Sequence, residues 1–399
     1  MSFVTQLVPV ATALTTISLG LYTTILPQSK RPKFFAALII FACLTWHTSK
    51  NLPFTLQFIN QFLVAILFYL WHMFNLLFIH AYQIEPSSKS VSSLKKLRTA
   101  YYMNSNVRWL DTPHEVRDII GRPTNQFILK KWEDKGEAVN KPLIAISRIH
   151  YVLRKIVDLV LFHFLEKLLK DTLHPTVTGH DFMTSRTHFI RRLLFQPNDL
   201  YPYKPSSREC MIRGYYSLVF FLGDYVLLHK GHSLLALVHV GLGIHRPEDW
   251  PRLFGPFSGL TKGVRGMWGV YWHKLHTRAY SDSSRAVLSK IGITRDHICF
   301  RPLANLIVFC VTGAAHVIVA KKMGYTCAGW LEFFWWLGNW AVLVLETLVE
   351  VGYKKVWRRM GLRRNAGFER VVCFLWVLAW VFWSVPKITY QKLWCYPMV

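Results

Sequence analysis

The sequence predicts an all-α, polytopic membrane protein with about eight transmembrane helices, and three observations carry that prediction. Hydrophobic residues make up 52% of the 399 residues and charged residues 18%, below the roughly 25% of an ordinary soluble domain. Apolar runs near 20 residues long, the length that crosses a bilayer as a helix, recur along the chain. Between them, Lys and Arg crowd into alternate loops, the asymmetry that marks the cytosolic side.

The first run, 3–26, has no basic residue before it, whereas Lys30, Arg31 and Lys33 follow it. It therefore reads as a spanning helix with its N-terminus outside the cytosol and not as a cleaved leader. Further spans are expected at 34–49, 55–82, 211–229, 232–245, 302–320, 329–352 and 371–389, of which 34–49 and 232–245 are short. Residues 149–169 alternate apolar positions with Arg154, Lys155, Asp158 and Lys167, the pattern of a helix lying on the membrane surface. With these crossings, 27–33, 83–210, 246–301 and 353–370 share one side, which holds about 41 of the 48 Lys and Arg; these loops are expected to be cytosolic. The chain thus divides into N-terminal spans (1–82), a cytosolic-side insertion with the amphipathic helix (83–210) and a membrane-embedded catalytic region (211–399).

A net charge of +26 would point to nucleic acid in a soluble chain. Here it follows from topology, so no nucleic-acid partner is expected, and anionic lipid heads or an anionic cosubstrate are the natural counterparts. The seven cysteines show no CxxC or other metal spacing, no metal is expected, and nothing calls for a disulfide. The 16 Trp and 15% aromatic content suit the membrane–water interface.

Polar residues inside or beside spans are costly and attract functional suspicion. They are His72, His80, Asp224, His239, Asn305, His316, Glu332, Asn339 and Glu346, and most should simply bond a neighbouring helix. Two clusters stand out. Trp268-Gly-Val-Tyr-Trp272-His273-Lys274-Leu-His276-Thr-Arg278 gathers aromatic, imidazole and basic groups where an interfacial belt would need only the tryptophans. His316 lies in a strongly apolar helix after Gly313, Ala314 and Ala315, small residues that allow close approach by another helix or a ligand. An imidazole there could accept a proton from a hydroxyl.

The run from Trp250 through Trp272-His273 to Arg278, followed by Thr312-Gly-x-x-His316, resembles the wax-synthase-like membrane-bound O-acyltransferases, above all the fungal branch that acetylates terpenoid and meroterpenoid natural products. Asn106-Val-Arg108-Trp109 and Thr112-Pro113 are similar to that family's loop after its early helices, and the resemblance covers roughly 100–390. Met267 stands where Phe is usual, Thr312 where Ser is usual, and His273 where many relatives have Asn. The resemblance implies an acyl-CoA donor, acetyl-CoA as a cosubstrate with no bound cofactor, a hydrophobic alcohol acceptor, and the endoplasmic reticulum membrane. It further implies His316 as the base, His273 as an orienting or oxyanion-stabilising group, and Arg265, Lys274 and Arg278 as holders of the CoA phosphates.

Four other readings compete. A long-chain alcohol acceptor would make the chain a wax-ester synthase with the same crude composition. His229-x-x-His232 and His273-x-x-His276 have the spacing of di-iron oxygenase boxes, but such sites need about eight His on one membrane side, and the expected crossings part these two pairs. The soluble-type H-x-x-x-D string occurs at His114–Asp118 and His245–Asp249 without the Gly that should follow. A transporter would show matching broken helices in an inverted repeat, and none is visible.

Overall fold

We describe a computed structural model covering residues 3–49, 57–84, 93–108, 110, 148–195, 197, 203–322, 325, 327, 329–361 and 363–395. Trp109, Thr112, Pro113, His114 and Asp118, named above, lie outside these residues. The principal helices are α1 (Phe3–Ile25), α2 (Arg31–Thr48), α3 (Gln57–Phe74), α4 (Ser93–Ser105), α5 (Arg148–Lys167), α6 (Ser207–Gly241), α7 (Thr277–Lys290), α8 (Phe300–Lys322), α9 (Gly329–Arg359), α10 (Ala366–Ser384) and α11 (Pro386–Cys395). No strand occurs among the described residues. Wide π-helical turns extend α3 to Ile79 and α5 to Thr172.

Five helical stretches are long and apolar enough to cross a membrane: Leu7–Ile25, α6, α8, α9 and the α10–α11 stretch Ala366–Cys395. Helices also form over the expected spans 34–49 and 55–82, as α2 and α3. The expected pair 211–229 and 232–245 is corrected, since both belong to the single 35-residue helix α6. Lys230 and Gly231 looked like a break, yet Lys230 donates to Glu166 on α5 at 2.6 Å, so its charge is met within the protein and the helix has no reason to stop.

Chain contacts separate two compact units, residues 1–116 with 274–311 and residues 117–273 with 312–399, a partition that cuts across the linear division at 82 and 210. In the first unit, α1, α2, α3 and α4 close around polar hubs. The guanidinium of Arg31, 2% exposed, donates to the carbonyls of Leu26, Tyr82 and Thr24, satisfying the otherwise orphaned acceptors at the end of α1. Asn104 accepts from Tyr69 at 2.7 Å and donates to Thr24 at 2.8 Å. His72 bonds the Met103 carbonyl at 2.9 Å, so this intramembrane histidine ties α3 to the end of α4. Trp71 and Asn75 both reach Ser283 of α7.

In the second unit, α5 packs antiparallel along the length of α6. Tyr151 meets Ala236 and Val240, Phe162 meets Tyr225 and His229, and the Leu169 carbonyl accepts from Tyr215. Many apolar side chains of α5 face outward, beside exposed Arg154 and Lys167, unlike the apolar-in pattern of a helix in water. Leu153, Val157, Val160, Leu161 and Phe164 are exposed. By contrast, Lys155 and Asp158 pair with each other, and Glu166 pairs with Lys230 and Lys170.

Near the N-terminal end of α6, Glu209 binds Arg186 and Arg192, and Phe182, Ile212, Tyr216 and Tyr390 form a buried cluster. Near its other end lie Trp250 and Phe254, against His239 and His229. A further tie was not read from the sequence: Cys327 and Cys395, 68 residues apart, are joined as a disulfide with Cα atoms 6.1 Å apart. Peptide mapping of membranes alkylated before lysis should recover the Cys327–Cys395 cross-link. Free, fully alkylated peptides from both positions would refute it.

Candidate active site

The segment 250–273 folds back tightly on itself before the histidine of the first motif. The Gly255 amide donates to the Tyr271 carbonyl at 2.8 Å, and a Cβ on Gly255 would fall 1.8 Å from the Val270 oxygen. A side chain is therefore excluded there by contact with backbone. At Gly263, with φ +80°, the chain turns so that the amides of Val264 and Arg265 donate to the Glu346 carboxylate at 2.7 and 2.8 Å. Trp376 Nε1 donates to the same carboxylate. Glu346, a polar suspect in the sequence, is thus occupied as a clamp between this segment, α9 and α10.

From this fold-back the two histidines of the sequence motifs are linked by an unbroken ladder of rings. His273 lies 5.5 Å from Trp272, Trp272 5.4 Å from Trp268, Trp268 5.0 Å from Trp336, and Trp336 4.7 Å from His316. Asn339 holds the ladder in register. Its Oδ1 accepts from both Trp268 Nε1 and Trp380 Nε1 at 3.0 Å, and its Nδ2 donates to the Trp335 carbonyl. An amide carbonyl has two lone pairs, and both are used here in a fully buried position.

Gly313, one turn before His316, faces α9; a Cβ there would lie 3.1 Å from Phe333 and Trp336. The small residue serves helix approach at this point, and the ligand alternative is not needed to explain it. His316 itself keeps 42% of its side-chain surface accessible. Its Nδ1 lies 3.9 Å from Glu332 Oε1, and Glu332 Oε2 lies 2.9 Å from Lys392 Nζ. Asp224 of α6 is close enough to Glu332 and Lys392 to interact with both charges.

Sequence reasoning flagged Asp224 and Glu332 only as intramembrane acids and overlooked Lys392. Lys392 is 60 residues beyond Glu332 and comes beside it because α11 is tied back to the loop before α9 through Cys395 and Cys327. A lysine three residues before a cysteine carries no local signal of this.

The basic residues expected to hold CoA phosphates are distributed differently from their sequence spacing. Arg265, in the second unit, pairs with Glu350. Lys274 and Arg278 belong to the first unit, where Arg278 Nε lies 2.7 Å from Asp282 Oδ2. His276 stacks on Phe68 at 4.2 Å.

No second crossing parts the two H-x-x-H pairs, since 207–241 is one helix. His229 and His273 both lie against Phe254, at 5.1 and 5.8 Å, because α6 continues through 230–231 without a second crossing. Each of these rings packs on aromatic neighbours, and among the described residues no three His, Cys, Asp or Glu side chains converge as metal ligands.

The ladder lies within the part of the chain that comparisons recognise. Residues 250–336 match the model of the membrane bound O-acyl transferase family. This agrees with the resemblance drawn from the motifs, and the matched segment includes both His273 and His316. Several relatives bear the name acetyltransferase, among them the following. AurG of Calcarisporium arbuscula is 26% identical over 269 residues, covering 66% of this chain and 61% of that protein. Pyr8 of Aspergillus fumigatus is 26% identical over 336 residues, covering 80% and 71%. AtaH of Aspergillus terreus is 23% identical over 299 residues, covering 73% and 87%. The match to aurG thus spans about three-fifths of that relative's own length. No solved structure matches the chain.

Proposed function

We propose that the chain is an integral membrane O-acyltransferase that moves an acetyl group from acetyl-CoA to the hydroxyl of an apolar acceptor, a terpenoid or meroterpenoid intermediate of fungal secondary metabolism. The observation that carries this is the His316–Trp336–Trp268–Trp272–His273 ladder inside the segment that matches an O-acyltransferase family. The names of the relatives support acetyl as the transferred group.

In this reading His316 Nε2 accepts the proton of the acceptor hydroxyl as its oxygen attacks the thioester carbonyl. The resulting tetrahedral oxyanion collapses with cleavage of the C–S bond, and the CoA sulfur leaves with the proton returned from His316. The products are the acetyl ester and free CoA. Glu332, held by Lys392, favours the tautomer with its proton on Nδ1 and leaves Nε2 free to accept. At 3.9 Å the carboxylate is beyond hydrogen-bond length, a spacing that tightens in many active sites once substrate is bound. The indole walls exclude water, which would otherwise compete as acceptor. His273, at the other end of the ring ladder, orients the acceptor.

Expression in a host without such enzymes, feeding of apolar alcohols with labelled acetyl-CoA, and mass spectrometry should show a gain of one acetyl unit. Transfer of only long acyl chains would favour the wax-ester reading, and absence of transfer to any alcohol class would remove the proposal.

The same reading sets the topology. Most apolar side chains of α5 face outward, as on a helix in lipid, and Arg154 and Lys167 are exposed beside them, long side chains that can reach the interface; α5 is taken as a crossing partner of α6. This keeps the number of crossings near eight, moves 173–206 to the non-cytosolic side, and leaves 246–301 and 353–370 cytosolic in the endoplasmic reticulum membrane. Single-cysteine labelling in sealed microsomes should modify a probe at 363 from outside, and one at 197 only after permeabilisation. Equal labelling of both before permeabilisation would show that α5 does not cross.

A further inference from the structure

The first unit contains a cavity of about 440 Å³, and every residue that lines it belongs to that unit. Its wall has two chemistries. Arg278, Arg285 and Arg295 supply positive charge, whereas Ile79, Ile293 and Phe300 are apolar. The charges are organised by one buried carboxylate. Asp282, 6% exposed, lies 2.8 Å from His80 Nε2, 2.7 Å from Arg278 Nε and 3.2 Å from Arg285 NH1. Arg278, Asp282 and Arg285 follow one another at helical spacing on one face of α7, and the Ser283 contacts with Trp71 and Asn75 fasten that helix to α3. Arg278 and Arg285 are therefore held in place before any ligand arrives.

The cavity also has a definite depth. Ile79 ends the apolar stretch Ile66–Ile79, and Phe300 opens the long apolar helix α8, so both mark the point where a helix suited to lipid gives way to a polar loop. On the loop after α7, Ile291 and Ile298 are 65% and 88% exposed, on either side of Arg295. Outward isoleucines interleaved with arginine are the pattern of a segment lying in the headgroup layer.

Three arginines against one aspartate leave two surplus positive charges in the wall when His80 is neutral. A phosphate monoester carries about −1.5 to −2 at neutral pH, and arginine meets phosphate oxygens with paired donors. A soluble phosphate would use the arginines and leave the apolar wall and the outward isoleucines without a role. An amphiphile uses all of them.

We propose that this cavity binds the headgroup of a phospholipid ending in a phosphate monoester, as in phosphatidic acid. Arg285 and Arg295 contact the phosphate, and Asp282 positions Arg278 and Arg285. The acyl chains stay in the bilayer, in the cytosolic leaflet of the topology proposed above, where anionic lipids concentrate. The proposal rests on the chain being membrane-embedded and not on acetyl transfer, so failure of the acyltransferase reading leaves it standing.

The test uses delipidated full-length protein in detergent. Native mass spectrometry reads retention of dioleoyl phosphatidic acid against an equimolar amount of dioleoyl phosphatidylcholine, in wild type, Arg285→Gln, Arg285→Lys, Arg295→Gln and a charge control outside the cavity, Arg363→Gln. Loss of a charge-assisted contact corresponds to roughly 10–100-fold. Wild type and the control should retain phosphatidic acid preferentially. Arg285→Gln and Arg295→Gln should each weaken that retention at least about tenfold, with Arg285→Lys in between. Equal retention of the two lipids by wild type, or wild-type preference in both Gln variants, would overturn the site. If Arg285→Gln does not stay folded, Arg295→Gln, changed at an exposed position, decides alone.

Calorimetry separates the lipid from a soluble phosphate. Dioctanoyl phosphatidic acid should bind at least about tenfold more tightly than glycerol 3-phosphate or inorganic phosphate, because only the lipid buries apolar surface. Arginine-dependent binding of either soluble phosphate with the affinity of the lipid would overturn the lipid assignment.

Discussion

Replacing His316 with Ala is expected to abolish detectable acetylation while the protein still accumulates in membranes. A positioned imidazole contributes about 10²–10⁴-fold when an alcohol must lose its proton during attack, and the loss should fall on kcat. The effect of Glu332→Gln should be smaller and of a different kind. The amide keeps the shape but removes the charge facing Nδ1 at 3.9 Å, so the base loses its tautomeric preference and the Lys392 ammonium loses its carboxylate partner. Turnover should fall, and the lower limb of the pH–rate profile should move, while KM for the donor stays near its original value. His273→Asn should retain more activity than His273→Ala, because an amide still donates and accepts at that position. Near-normal turnover in a well-folded His316→Ala protein would remove the mechanism. If that variant does not accumulate, His316→Gln, which preserves polarity and approximate volume, makes the same test.

The largest stability effect is expected at Asn339. Its side-chain oxygen is the shared acceptor for the indole N–H groups of Trp268 and Trp380, at 3.0 Å each, in a position with no solvent access. Removing the acceptor leaves two buried donors unmet. Each costs about 1–3 kcal/mol, so Asn339→Ala should destabilise the second unit by roughly 2–6 kcal/mol. This should be read as a lowered unfolding midpoint of the detergent-solubilised protein. The penalty is assigned by a double-mutant cycle. In Trp268→Phe or Trp380→Phe backgrounds, where one donor is already absent, Asn339→Ala should cost distinctly less. Because Trp268 is a rung between His273 and His316, activity should fall along with stability. A wild-type midpoint in Asn339→Ala would show that the indoles find other acceptors and that the amide is dispensable.

The polar residues inside the apolar helices illustrate why one kind of signal in the sequence has several meanings. His72, Asn339, Glu346 and His316 are all isolated polar groups in apolar surroundings, and local spacing gives each the same weight. The Met103 carbonyl partners His72, two indoles partner Asn339, and two amides and an indole partner Glu346. Only His316 combines accessible surface with a carboxylate neighbour. The distinction depends on which residues of other helices arrive alongside, and hydropathy contains no record of that.

Composition and periodicity alone determined that this chain is helical and membrane-embedded. The order and spacing of Trp268, Trp272, His273 and His316 determined its family resemblance, because a spanning helix must be apolar for about 20 residues and a motif is local by definition. The tertiary structure decided four things that local patterns do not encode. It made one helix of 207–241, because Lys230 finds Glu166 on a helix 64 residues earlier. It set Leu153, Val157, Val160, Leu161 and Phe164 of α5 outward and paired Lys155 with Asp158 and Glu166 with Lys230. It brought Lys392 to Glu332 beside His316, and gathered Arg278, Arg285 and His80 around Asp282. In each case a buried charge is tolerable only beside its partner. That partner is supplied by long-range packing, whose pairings a linear reading of charge and hydropathy leaves open.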